Sequence, residues 1–401
     1  MPTTPPGRYR DPETATATAD LKRFAWLFIE GDPTPLPGQG ERLARGMWEG
    51  DPLADAWVEH ASGLGPGEGR RWVERATREG IGALPDAPAP LRALFEQIEE
   101  VPLWLDRGML DLAHRTIRRG ALLGELVLNQ VSLMGGYRYE GPIRPLLMTG
   151  RLGRGAERRT AETAQFVTEV TSHRAMARGG VGYEAAIQVR LLHARVRRHL
   201  TGHPDWDEAA WGSPISQTDM VGTNLLFSIT YLATTRTLGI RYTDREARSV
   251  IHLWRYIGLL MGIEPELLPA DEQEAARLAW LMGLVQSQAP VEAARPLGQA
   301  LYEVPMQRAG GAVERAAARV EQRFRAGVSR FFLGDETGDR LGLPRTAMKF
   351  APLAMIPIVS ACEAARVVVP GGTQVAVKVG EAWLRRRMAR MLRGRSTEYR
   401  S

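Results

Sequence analysis

Cys362 is the only cysteine in the 401-residue chain. Its isolation excludes a disulfide scaffold, cysteine-rich zinc sites, iron–sulfur clusters and CxxC redox chemistry together, and it fits a reducing compartment. Lysine is nearly as scarce. Only Lys22, Lys349 and Lys378 stand among the 52 basic residues, so the net charge of +6 rests on arginine spread along the whole chain. The one dense cluster is Arg385, Arg386, Arg387, Arg390, Arg393 and Arg395, and no aromatic residues interleave it as base stacking would require. Nucleic acid is therefore not the expected partner. The readings that remain for this cluster are a solvated terminal helix face and a peripheral contact with an anionic membrane surface.

Long apolar runs are also missing. The most apolar stretch, 350–361, is expected to be broken by Pro352 and Pro357 and falls short of the roughly 20 residues a span needs, so no transmembrane helix is expected. No charged-then-apolar leader opens the chain. Residues 1–20 are polar and proline-rich, read as a flexible leader, and the expected location is cytoplasmic. Familiar catalytic signatures are absent too: the glycines of 63–69 do not match GxGxxG, and there is no HExxH, Walker loop, GxSxG elbow or paired ExxH.

What is present is a 44% hydrophobic chain, sufficient for a large core, with helical periodicity and no convincing strand alternation. Proline and glycine punctuation divides it into the leader, a helical cap region over 21–100, a central core over 101–285 and a C-terminal helical region over 286–401, packed on the core. Short helices are expected near 21–29, 70–78 and 90–99. Ser213 followed by Pro214 predicts a helix start, and Gly239 its end, giving one helix over 213–239. A capping box, Thr243 with Glu246, opens the next helix, whose stripe runs Ala247, Val250, Ile251, Trp254, Gly258 and Met261. Asp271 and Glu274 start a further one in the same way.

His193 lies within residues 183–200, YEAAIQVRLLHARVRRHL, among Val189, Leu192, Val196 and Leu200 at helical spacing. An imidazole inside an apolar stripe needs a partner, because an unpaired buried polar group costs about 1–3 kcal/mol. A core hydrogen bond and a metal both answer that need. Upstream, RRTAETAQFVTEV places Arg159, Glu162 and Thr163 on one helix face beside Phe166 and Val170. The other histidines stand alone, or, for His199 and His203, have Gly202 and Pro204 interrupting their helix.

Taken together, RRTAET, VRLLHARVR, WGSPISQTDMVGTNLLFS and WRYIGLLMGIEPELLP, spread over roughly residues 100–285, resemble the rubber oxygenase (latex clearing protein) and MpaB-like family in residue types, order and separation. The resemblance implies an all-α, globin-like helical core holding haem b. His193 then stands as the proximal iron ligand, with Arg159 and Thr163 as the polar pair near the haem. Glu162 occupies the place where rubber-cleaving members carry a lysine able to reach the distal iron position. Glu140, in GYRYEGPI, is the nearest candidate for the family's upstream catalytic acid. Arg255, beside Trp254, is placed to reach a haem propionate. The implied reaction is dioxygen addition to, or cleavage of, a carbon–carbon double bond in a hydrophobic, isoprenoid-like substrate, with polyisoprene itself not expected for a chain without a leader. A non-catalytic haem sensor or carrier and a haem-free helical lipid- or partner-binding protein are the alternatives. Nothing in the sequence sets the oligomeric state.

Overall fold

A computed structural model describes Pro2 and residues 4–149 and 155–392, the side chains of 155–157 and 390–392 excepted. Arg393, Arg395 and the side chain of Arg390, part of the basic cluster, lie outside the described residues. Among those that are described the fold is all-α. Extended pairing is limited to isolated bridges, Tyr9 with Gln286 and Tyr139 with Gln288.

The first five helices are α1 (Ala19–Phe28), α2 (Gln39–Gly46), α3 (Pro52–Ser62), α4 (Glu68–Glu79) and α5 (Ala89–Glu99), so the three short helices expected here are present. Then come α6 (Arg107–Arg119) and α7 (Ala121–Val127), which widens into a π turn at Leu128–Leu133 before α8 (Met134–Gly136) and α9 (Glu140–Met148). The central pair is α10 (Gly155–Val170) and α11 (Val181–Leu200), followed by the short α12 (Glu208–Trp211).

The single helix expected over 213–239 is instead two, α13 (Gln217–Phe227) and α14 (Ile229–Thr237), separated at Ser228 with φ −102° and ψ −87°. Its start moves because a better cap lies three residues on. Ser216 and Asp219 form a reciprocal capping box, while the amide of Ser213 donates to the carbonyl of Met47. Gly239 does close the segment, with φ +106°.

Helix α15 (Asp244–Leu260) opens on the expected Thr243–Glu246 box, and α16 (Glu272–Val285) on Asp271, whose carboxylate accepts from the Glu274 amide at 2.9 Å. Beyond them lie α17 (Val291–Arg308), α18 (Ala312–Arg340), α19 (Ala351–Val368) and α20 (Gly372–Leu392). The expected interruption at Pro352 and Pro357 does not occur. Pro352 sits in the first turn, where its missing amide costs nothing, and Pro357 faces solvent, which can hydrate the carbonyl it leaves unpaired. A continuous helical stretch, Ala347–Val368, is long and apolar enough to cross a membrane by length and composition.

The opening segment, expected to be flexible, is tied down. Arg8 is 2% exposed and its guanidinium meets both carboxylate oxygens of Asp219 at 2.5 and 2.8 Å, while the Arg10 amide donates to the carbonyl of Val285. One apolar core runs from Ala25 to Leu343, with residues from the cap region, central block and C-terminal block in contact. Within it α15 packs on α6, and α11 lies between α3 and α10.

Candidate functional site

Helix α11 is held in rotation by two buried arginines on the side away from the cavity described below. Arg190 grips Asp51 through Nε at 2.6 Å and Nη2 at 2.9 Å, and its Nη2 also donates to Gln97 at 2.7 Å. Two turns on, Arg197 donates through Nε to the Asp55 carboxylate at 2.8 and 3.0 Å. Asp51 is itself the N-cap of α3, accepting from the Ala54 amide. These buried ion pairs fix α11 against α3, which leaves Val189, Leu192, His193 and Val196 on the face turned inward.

They face a cavity of about 370 Å³, within the range of cofactor and small-molecule pockets. From α11, Val189, Leu192, His193 and Val196 line it. The Nδ1 atom of His193 is buried with no hydrogen-bond partner. Burial first, and then the Arg197 guanidinium, lower the imidazole pKa from its ordinary 6.5 to about 4, with Asp51 opposing, so the ring is neutral at physiological pH. A neutral imidazole with an unused nitrogen is the form that binds a metal.

The opposite wall comes from α10, which contributes Arg159, Glu162, Thr163 and Phe166. Arg159 donates through Nη2 to the Tyr137 hydroxyl at 2.6 Å and lies 5.4 Å from the centre of that ring, while its Nη1 is buried and unpartnered. Glu162 pairs with Arg158 one turn back at 3.1 Å. Phe227 and Trp254, stacked at 5.2 Å, complete an apolar wall, and Asp219 reaches it already paired with Arg8. Gly141 permits this pairing, because a Cβ there would lie 1.5 Å from Arg8 Nη1 and 2.4 Å from Asp219 Oδ1.

Four of the six residues singled out from sequence thus meet in one cavity: His193, Arg159, Glu162 and Thr163. The other two do not line it. Glu140 opens α9 and is held by Arg144 at 2.5 Å and the Trp211 indole at 3.2 Å. Arg255 lies over Trp104, 4.3 Å from the ring centre, because at its position in α15 it points away from the wall that Trp254 builds. A second apolar cavity, of about 250 Å³, lies alongside the first and shares Gly136, Pro142, Thr223 and Leu226 with it.

No group of three or more His, Cys, Asp or Glu residues that could hold a metal ion occurs among the described residues.

Comparison with known proteins places the chain in a family. Residues 107–366, more than half of the chain, match the family described as ER-bound oxygenase mpaB/B′/rubber oxygenase, catalytic domain. The chain belongs to this family. The rubber oxygenase of Streptomyces sp. (strain K30) is 27% identical over 270 residues, which cover 66% of this chain and 63% of that relative. The chain thus spans less than two thirds of that relative's length. Latex clearing protein in its closed state shares the fold with a TM-score of 0.68 and 20% identity, over 86% of this chain and 91% of that one. In this mpaB/rubber oxygenase relative, the site residues that sequence reasoning missed are Tyr137, Asp219 and the pair Phe227–Trp254. Each sits in an apolar or well-capped stretch that reads as ordinary core. Arg190 and Arg197, three before and four after His193, were visible as charges on an apolar helix, and that was the available signal.

Proposed function

We propose that the protein is a haem b-dependent oxygenase that adds dioxygen across, or cleaves, a carbon–carbon double bond of a hydrophobic, isoprenoid-like molecule. The observation that carries this reading is the neutral His193 ring, with a buried unpartnered nitrogen, on the wall of an apolar cavity that offers no cluster of protein donors. That donor set fits a haem and does not fit a bare metal ion. Family membership and the name of the Streptomyces relative support oxygenase chemistry.

When bound, the haem iron supplies the centre at which dioxygen is activated. His193 would hold that iron through its unpartnered ring nitrogen. Arg159, braced by Tyr137 and carrying an unused Nη1, would accept a propionate or another anionic oxygen. Thr163 places a hydroxyl on the same wall. Glu162 is charge-paired with Arg158, which keeps its carboxylate at the edge of the cavity. The stacked Phe227 and Trp254 exclude water from the space a hydrocarbon would fill, and the adjoining chamber extends it. Glu140 and Arg255 take no part in this reading, since each is engaged elsewhere.

The test is the visible spectrum of protein purified from haem-supplemented cells, beside His193→Ala. Wild type should show a Soret band, and the variant should lose it while keeping its helical circular dichroism. A colourless wild type would defeat the proposal. A non-catalytic haem carrier is the second reading, favoured by the ion-paired Glu162 where the family resemblance expects lysine. Oxygen uptake with an unsaturated isoprenoid separates the two, being absent for a carrier.

A further inference from the structure

The strongest unexplained feature lies outside the cavity, on the C-terminal hairpin of α19 and α20. Ala347–Val368 is 22 residues long, yet only 11% of its most apolar window is buried. Leu353, Ile358 and Val368 are 51%, 65% and 80% exposed, and Val375 and Val379 extend the same apolar surface onto α20. Apolar area of this continuity is unusual on an unpartnered protein surface and marks a contact.

Charge on the hairpin is distributed to match. Before Arg366 the only charged residue of α19 is Glu363, which is buried and bound by Arg119 at 2.8 Å and by Arg366 at 2.9 Å. The only other acid between 347 and 392 is Glu381, which faces His114 at 3.3 Å and lies 4.0 Å from the largely exposed Arg385. Exposed basic residues, Lys378 and Arg385 among them, flank the apolar face on α20.

We propose that this hairpin is a monotopic membrane anchor, with α19 lying in the plane of an anionic bilayer surface and Lys378 and Arg385 at the headgroups. It does not cross the bilayer, because its inner side is bound to the protein body. A Cβ on Gly239 would lie 2.8 Å from Ser360 Oγ and 2.9 Å from the Ile356 carbonyl, and the Glu363–Arg119 pair closes the same contact. A second copy of the chain fits the face less well. Twofold pairing would bring the basic flanks together, whereas anionic lipid neutralises them. The arginine cluster is the lesser part of the contact, since Arg387 is turned inward to grip Glu125 at 2.5 and 2.9 Å. This inference is independent of the chemistry proposed for the cavity.

Co-sedimentation of the full chain with vesicles of phosphatidylcholine and phosphatidylglycerol, and of phosphatidylcholine alone, tests it against the double variant Ile358→Glu/Val368→Glu. Both positions are exposed, so the fold should persist, with circular dichroism as the check. Wild type should bind the mixed vesicles, more weakly the neutral ones, and the variant should bind about tenfold less well. Wild type that stays in solution with both vesicles overturns the proposal, as does a folded variant that binds like wild type. A wild-type dimer that these substitutions dissociate, without any vesicle binding, overturns it in favour of a second copy on this face.

Discussion

His193 is held near pKa 4 mainly by burial, whereas in an unfolded chain the same ring takes up its proton near 6.5. Between those values the unfolded state binds more protons than the folded one, so stability falls as pH is lowered through the window, by up to ~1.4 kcal/mol per pH unit for this group. His114 and His252 are shifted in the same direction, also first by burial. Comparing urea unfolding of the haem-free protein with that of His193→Phe at pH 7 and pH 4.5 cancels their share. The variant should lose less stability on acidification, and equal losses would show that His193 is not buried neutral. Arg159 allows a separate measurement. Its Nη1 is buried without a partner while Nη2 is fixed by Tyr137, so on the proposed haem reading Arg159→Ala should speed haem transfer to a scavenging globin by roughly tenfold, the scale of one charge-assisted hydrogen bond. Arg159→Lys restores the charge without the planar fork and should recover only part of the retention.

At the scale of elements, what could be read from sequence was what neighbouring residues decide among themselves. Thr243 with Glu246 and Asp271 with Glu274 start helices through contacts three residues apart, and His193, Arg159, Glu162 and Thr163 reach one cavity because two periodic helices pack face to face. Long-range partners decided the remainder. Ser213 and Ser216 offer similar local caps, and the second prevails where Arg8, more than 200 residues away, binds Ser216 and Asp219. Tyr137 and Trp254 look like core until the fold turns them toward the cavity, and Pro357 looks like a helix breaker until the exposure of α19 is known. The docked leader yields a stability prediction. Arg8→Met strands the buried Asp219 carboxylate and should cost about 3–5 kcal/mol in urea unfolding. Adding Asp219→Asn removes the stranded charge while keeping the cap with Ser216, and should restore more than half. A leader that is only loosely attached would make the first substitution neutral.

Across the whole molecule, the two apolar cavities adjoin, one walled in part by α10, α11 and α15 and the other in part by α1, α14, α16 and α18. Leu226, on the α13 segment between them, belongs to both walls. Its backbone is held by the π turn of Leu128–Leu133, where Ser132 Oγ donates to the Leu226 carbonyl at 2.7 Å, so the partition is braced at its backbone while its side chain is the part that can be changed. π turns recur at functional sites because they displace side chains that an α-helix would place elsewhere. If a linear hydrocarbon occupies both chambers, its reacting double bond lies on the His193 side and its tail passes Leu226 into the chamber lined by Phe24, Phe28 and Met282. Leu226→Trp should then block the passage while leaving the His193 and Arg159 side chains themselves unchanged. Haem content and the Soret band should stay at wild-type level, oxygen uptake with a short isoprenoid should be little changed, and uptake with a long linear one should fall by about tenfold. Equal losses for both lengths would place the whole substrate in the first cavity, and no loss for either would place its path elsewhere.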